Sequence, residues 1–308
     1  MAWKNTVKLY GPACTWFACG FGASIAYLYP QTFGLQQYKE ELTERFGGKP
    51  VEVDSEVQAL VKEIREHFKW RKAFLHMGED FDFIQTKQPL EFTQRGSAAT
   101  RWGAVIGVPI LFTASSLLAA KENPVAVLQN YNISVNEAEG QKMLELFTLS
   151  SAAKKFALAK EMYFADTMRI FTGVVTINVA FMGTYVIGTG LSRILSIVLP
   201  VPVAAIISFL SIVPTLGYGC VKLYDWYTCR LMAKADRKAA CIDPDLAVGG
   251  IEYYSTLIAR KQALEQVQQN FTNDAAAESV FDMKWRKKEL NLEERKLCLQ
   301  EALGQLQS

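Results

Sequence analysis

Histidine is almost missing from this chain: only His67 and His76 occur in 308 residues, which leaves little material for imidazole metal ligation or for Ser-His and Cys-His catalysis. Six cysteines, Cys14, Cys19, Cys220, Cys229, Cys241 and Cys298, form no C-x-x-C pair, and three lie in or beside apolar runs, which argues against a zinc or copper site. Charge of one sign is lacking too. The net charge is +2, and no basic strip interleaved with aromatics supplies a local attraction to nucleic acid. We therefore expect no metal, no cofactor and no nucleic-acid partner.

What the sequence has is segregated hydrophobicity. Half of the residues are hydrophobic although 21% are charged. Charges are absent from 9–38, 170–192 and 194–221, each long enough for the roughly 20 residues that a membrane helix needs. A fourth run, 102–120, is interrupted early by Gly103, Gly107 and Pro109. These runs predict a mainly α integral membrane protein: an N-terminal membrane helix (1–38), a small α+β intervening domain (39–150), an amphipathic helix leading into a membrane helical hairpin (151–222, spans about 170–190 and 202–222), and an α-helical C-terminal domain (223–308). Lys4 and Lys8 precede the first run, as in a signal peptide. The run is long, however, and ends in Tyr27-Leu-Tyr29-Pro30 without a small-residue cleavage site, so it is expected to be a retained anchor in the lipid bilayer.

Within the runs, small residues recur every fourth position: Cys14, Ala18, Gly22 and Ala26; Thr172, Thr176, Ala180, Thr184 and Gly188; and, more loosely, Ser208, Ser211, Thr215 and Gly219. Such ridges let helix backbones approach. Asn178 is the one strongly polar side chain expected at depth. The linker 191–201 is too short for a domain and too apolar for a free loop, so the last two spans form a hairpin with an interfacial turn. Basic residues flank it outside, Lys154, Lys155, Lys160 and Arg169 before and Lys222, Arg230, Lys234, Arg237 and Lys238 after, against Arg193 in the turn. The positive-inside rule places both flanks on the side from which insertion occurs.

Between the first run and the hairpin, Asp54-Ser-Glu-Val-Gln58 opens a helix with a Ser55/Gln58 capping box, and Val57, Leu60, Val61, Ile64 and Phe68 give it one apolar face. The period then changes to that of short strands at 81–84, 90–93 and 133–135. In that company 101–112 is read as a buried strand or re-entrant segment rather than a span. The C-terminal stretch 279–306 is a charged amphipathic helix with Leu292, Leu299 and Leu306 seven apart and Leu303 beside them, a short seam expected to pack in cis.

The stretch 147–171 contains no breaker and is expected to run as one helix into the uncharged segment. Its charges Lys154, Lys155, Glu161, Asp166 and Arg169 fall on one arc opposite Phe156, Tyr163, Phe164 and Thr167. Lys160 alone falls within the apolar face, where an unpartnered charge is costly. Two expectations follow for it near a membrane boundary: snorkelling over Phe156 and Phe164 towards phosphate or water, or a salt bridge to Glu252 or to a partner protein.

Three motifs carry a resemblance: Phe147-Thr-Leu-Ser150 followed by Lys155-Phe-Ala-Leu-Ala-Lys-Glu161; Gly103-Ala-Val-Ile-Gly-Val-Pro109; and Gly249-Gly-Ile-Glu-Tyr-Tyr254. Together with the order of anchor, domain, hairpin and C-terminal helices, they resemble the transmembrane protein 177 family of the mitochondrial inner membrane. The similarity runs from about 13 to 264; the tail 279–306 departs from it. The resemblance implies a multi-pass, non-enzymatic assembly factor of the mitochondrial inner membrane, with newly made cytochrome c oxidase subunit 2 and its membrane chaperone as partners. Lys155, Phe156, Lys160, Glu161, Asn178, Gly249, Gly250, Glu252, Tyr253 and Tyr254 are the candidate interaction residues. A membrane-embedded carrier or enzyme is the alternative, disfavoured by spans without charge, and a membrane-shaping hairpin is another.

Overall fold

The computed structural model describes residues 2–44, 53–67, 81–86, 92–113, 141, 144–271 and 291–307. Their contacts divide the chain into two units: 2–34 with 168–228, and the described parts of 35–167 with 229–307.

The first unit is helical. Helix α1 (Ala2–Leu28) packs along α5 (Arg169–Leu195), and α6 (Val201–Ala240) follows after a turn. Pro202 sits in the first turn of α6, where a missing N–H is harmless, and Ile197 and Val198 on the preceding turn are 83% and 84% exposed. Among the described residues, α5 and α6 are the two helices long and apolar enough to cross a membrane, both with mean hydropathy 1.8. Only 17% and 11% of their most apolar windows are buried. A soluble core helix would hide that surface; these present it, as lipid-covered helices do. Helix α1, richer in aromatics and with Lys4 and Lys8 in its first turns, is not one of the two.

The small-residue ridges are only partly the packing surfaces. Cys14, Ala18, Gly22 and Ala26 face outward, and the side of α1 against α5 is marked instead by Gly20 and Ser24. On α5 the ridge holds at Thr184 and Gly188, both buried, with Gly188 against Phe209 of α6. On α6, Ser208 is buried beside Ala204, whereas Ser211, Thr215 and Gly219 are exposed. The cause is phase: a ridge of residues four apart drifts around a 3.6-residue helix, so one partner helix covers only part of it.

The second unit is built around α4 (Ser151–Ala165). Strands β1 (Phe81–Thr86), β2 (Thr93–Gly96) and β3 (Ala104–Pro109) form a sheet in the order β1-β3-β2. Strand β3 lies parallel to β1 and antiparallel to β2. Every residue of β3 is buried, so the apolar 102–120 run holds a central strand, with 114–120 outside the described residues. The strand expected at 90–93 lies three residues later, and the one at 133–135 falls outside the described residues.

Helix α2 (Leu35–Glu44) is tied to β1 by Lys39 and Asp82. Helix α3 (Ser55–His67) buries Val57, Leu60, Val61 and Ile64 as its periodicity requires, and Phe68 lies outside the described residues. Its cap differs from the expected capping box. Asp54 Oδ1 accepts from the Glu56 N–H at 3.1 Å, and Gln58 reaches back to the Val53 carbonyl, because the helix starts at Ser55 rather than after it. Helix α7 (Pro244–Phe271) packs along α4, and α8 (Leu292–Gln307) along α7. The segments assigned to an intervening and a C-terminal domain thus share one core.

Two expectations about α4 are corrected. It does not run unbroken into α5: it ends at Ala165, and Asp166–Met168 separates the helices. The turn after β2 satisfies its last carbonyl and one in the linker, with the Ala98 N–H donating to Ala165 O at 3.1 Å and Ser97 Oγ lying 3.0 Å from Ala165 O and 2.8 Å from Thr167 O. Nor is α4 a helix with a solvated charged face. Phe156, Ala157, Leu158, Ala159 and Met162 are wholly buried, and Lys154 is buried too, 2.6 Å from Glu56 of α3.

Candidate functional site

Most of the candidate residues converge where α4, α6, α7 and α8 meet, inside the second unit. The approach begins with the Gly249-Gly250 pair. A Cβ on Gly249 would stand 2.4 Å from the Ala152 carbonyl carbon and 2.5 Å from its oxygen, so α7 lies directly on the α4 backbone. A Cβ on Gly250 would meet Phe156 and Leu299, each at 2.8 Å. That contact seats Phe156 against Tyr253 and Tyr254, with ring centroids 6.1 and 6.0 Å away.

Glu252, two residues on, reaches the start of α4. Ser150 is the N-cap, its Oγ accepting from the Ala153 N–H at 3.1 Å. Glu252 receives both the Ser150 N–H, at 3.0 Å, and the Ser150 hydroxyl, at 2.6 Å. A carboxylate at a helix N-terminus also complements the helix dipole. Glu252 is therefore engaged with the cap and not with Lys160, contrary to the expected pair.

Lys160 is 9% exposed. Its ammonium lies 2.7 Å from Glu161 and 5.2 Å from the centre of the Tyr253 ring. It belongs to a protein core and not to a bilayer boundary, which removes the snorkelling expectation. Burial works against its charge, but Glu161 and Tyr253 outweigh burial and push its pKa up to about 12.

Beside it sits a group that the sequence reading missed. Asp236 of α6, 2% exposed, accepts from the Tyr254 hydroxyl at 2.7 Å and from Arg295 through Nε at 2.7 Å and Nη2 at 2.8 Å. The guanidinium also lies 4.8 Å from the centre of the Tyr254 ring. Two such parallel bonds make this a geometrically selective pair. Burial and the adjacent Asp236 carboxylate hold the Tyr254 phenol well above its usual range. For Arg295, burial is outweighed by Tyr254 and Asp236, which keep it charged. Arg260, another omission, donates to the Leu146 carbonyl at 2.6 Å over the Phe147 ring, and burial pushes its pKa down to about 10.

A signal for the missed pair was present. Arg295 falls three residues after Leu292 and four before Leu299, on the leucine seam of α8, and Asp236 lies on the apolar line of Met232, Ala235 and Ala239. Opposite charges on two apolar seams pair when the seams meet.

Two candidates stand apart. Lys155 pairs with Glu63 at 2.5 Å, and both line a cavity of about 280 Å³ with Ser151, Asp243, Asp245 and Leu246. Asn178 belongs to the first unit, where its amide donates to Ser24 Oγ at 2.7 Å and to the Val174 carbonyl at 2.9 Å, joining α1 to α5. Among the described residues, no three His, Cys, Asp or Glu side chains are placed to hold a metal ion.

Chemically, the cluster holds fixed protonation states. Lys160, Arg260 and Arg295 stay cationic and Tyr254 stays a neutral phenol well above neutrality, whereas a general acid or base works with a pKa near the operating pH. Paired buried charges of this kind are costly to break by removing one partner.

The family model for transmembrane protein 177 matches residues 39–283 of the chain. A Homo sapiens protein named transmembrane protein 177 is 25% identical over 252 residues, covering 80% of this chain and 76% of its own length. A Rattus norvegicus protein of the same name is 26% identical over 167 residues, 54% of this chain and 52% of its own. One from Xenopus laevis is 23% identical over 227 residues, 70% and 68% respectively. No solved structure matches the chain. Asp236, Gly249, Gly250, Glu252 and Tyr254 lie inside the matched range, and Arg295 lies beyond it.

Proposed function

Since the chain belongs to the transmembrane protein 177 family, we propose that it is a non-enzymatic assembly factor of the mitochondrial inner membrane, crossing it more than once, that stabilises newly synthesised cytochrome c oxidase subunit 2 and its membrane chaperone. The observation that carries this reading is the closed, fixed-charge junction of α4, α6, α7 and α8. Its motif residues engage one another: Gly249 with the α4 backbone, Glu252 with the Ser150 cap, and Tyr254 with Asp236 and Arg295. Such a junction acts as a rigid support. The apolar exteriors of α5 and α6 supply a surface on which an unassembled membrane helix can pack by close contact and a few hydrogen bonds.

The test is an affinity pull-down from mild-detergent mitochondrial membranes after pulse-labelling mitochondrial translation. Recovery of labelled oxidase subunit 2 is the expected result. Its absence, with the protein intact in the inner membrane, would overturn the assignment to that subunit.

A further inference from the structure

The turn between β2 and β3, residues 97–103, is pinned beside two points where the chain passes into helices of the first unit. Ser97 Oγ is 2.8 Å from the Thr167 carbonyl, and Thr167 stands two residues before Arg169, the first residue of α5. Two trans peptide steps span at most about 7 Å, so Ser97 lies close to the base of that apolar helix. On its other side, a Cβ placed on Gly96 would stand 3.1 Å from Leu35, the residue that follows Gly34 on the exit from α1.

The turn is firmly seated. Ala98 and Ala99 are wholly buried, and Ser97 and Thr100 nearly so. Its tip is the opposite. Trp102 is 40% exposed, and the neighbouring, exposed Arg101 places its guanidinium 4.6 Å from the centre of the Trp102 ring. If α5 crosses a bilayer, chain connectivity keeps Ser97 and its turn within reach of the first residue of α5, where the helix meets the headgroup layer. Within the first unit, Tyr27 of α1 is hydrogen-bonded to Tyr224 of α6 at 3.1 Å and packs on Gly173, in the second turn of α5. Tryptophan favours that layer because its ring is apolar and its N–H is polar, and a guanidinium pairs with phosphate through planar hydrogen bonds.

We propose that the 97–103 turn is a membrane-interface anchor, with Trp102 in the glycerol and headgroup layer and Arg101 on lipid phosphate. The anchor rests on the membrane reading of α5. Its partner is a phospholipid surface, not a protein.

The test uses the full chain reconstituted in vesicles of phosphatidylcholine with a minority of phosphatidylglycerol. The emission of Trp102 is taken as the difference between the wild-type chain and Trp102→Phe, and is challenged with lipid brominated high on its acyl chains and, separately, with aqueous iodide. Quenching by the bromolipid together with loss of iodide quenching is the expected result. Quenching by iodide as strong as that of free tryptophan amide, with no effect of the bromolipid, overturns the anchor. Alkaline carbonate extraction of the same vesicles separates the two readings. A chain retained by the vesicles with an iodide-accessible Trp102 refutes the anchor alone, whereas a chain released into the supernatant refutes the membrane reading and the anchor with it.

Discussion

Replacing Arg295 with Met is the most informative single change to the buried junction. The Met side chain keeps much of the apolar stem but removes the guanidinium, and with it both charge-assisted bonds to Asp236. Asp236, 2% exposed, then retains only the Tyr254 hydroxyl at 2.7 Å among the contacts described here. Removing one partner of a buried ion pair costs about 3–5 kcal/mol, because the other charge stays behind without compensation. For a unit of this size each kcal/mol lowers Tm by about 2–4 °C, so Arg295→Met should lower the melting temperature by about 6–20 °C. Intrinsic fluorescence of the full chain in one mild detergent would measure it. The charge argument makes a second demand: Arg295→Met combined with Asp236→Leu and Tyr254→Phe, which removes the charge and the orphaned hydroxyl together, should regain most of the loss, since apolar replacement of a whole buried pair is often neutral. A single variant within about 1 kcal/mol of the wild type, or a triple variant no better than the single one, would refute the assignment of the junction to paired charge.

Four further outcomes follow from particular contacts. Gly249→Ala forces a Cβ into the Ala152 carbonyl and should cost about 2–3 kcal/mol by overpacking; Gly22→Ala, with nothing within 4 Å, should be neutral or stabilising by up to about 1 kcal/mol through helix propensity, both read by melting. Ser150→Ala removes the α4 cap and the Glu252 hydroxyl contact and should cost about 0.5–2 kcal/mol in denaturant titrations. Asn178→Ala removes the α1–α5 bond to Ser24, and a loss of about 0.6–1.7 kcal/mol is expected in detergent unfolding, as for other intramembrane hydrogen bonds. Lys160 is raised from 10.5 to about 12; the protonated form is favoured by folding, so its contribution is complete below pH 10.5 and is lost as the pH climbs through 12. Arg260, lowered to about 10, slopes the opposite way, so the diagnostic is the difference between the wild type and Lys160→Met, which should shrink across that window.

How legible this molecule is in its sequence depends on the range over which each feature is decided. Local periodicity places the apolar face of α3 and the leucine seam of α8, because helical spacing alone brings Val57, Leu60, Val61 and Ile64 to one side, and the lengths of the uncharged runs place α5 and α6. Pairings decided by distant residues were not readable. The break after Ala165 has no glycine or proline to announce it; Ser97 and Ala98, far upstream, supply the partners that end the helix. Lys160 stands out in the sequence as a charge among apolar neighbours, yet its partner is the adjacent Glu161, a spacing at which helix positions do not face each other. Only a helix enclosed nearly all round crowds both side chains into the same pocket. The motif residues teach the same lesson. Gly249-Gly-Ile-Glu-Tyr-Tyr254 supplies candidate interaction residues in the sequence, and the fold sets Gly249 against Ala152, Glu252 against Ser150 and Tyr254 against Asp236. The motif residues thus serve the interior of the second unit, while the apolar flanks of α5 and α6 are what the chain leaves at its surface.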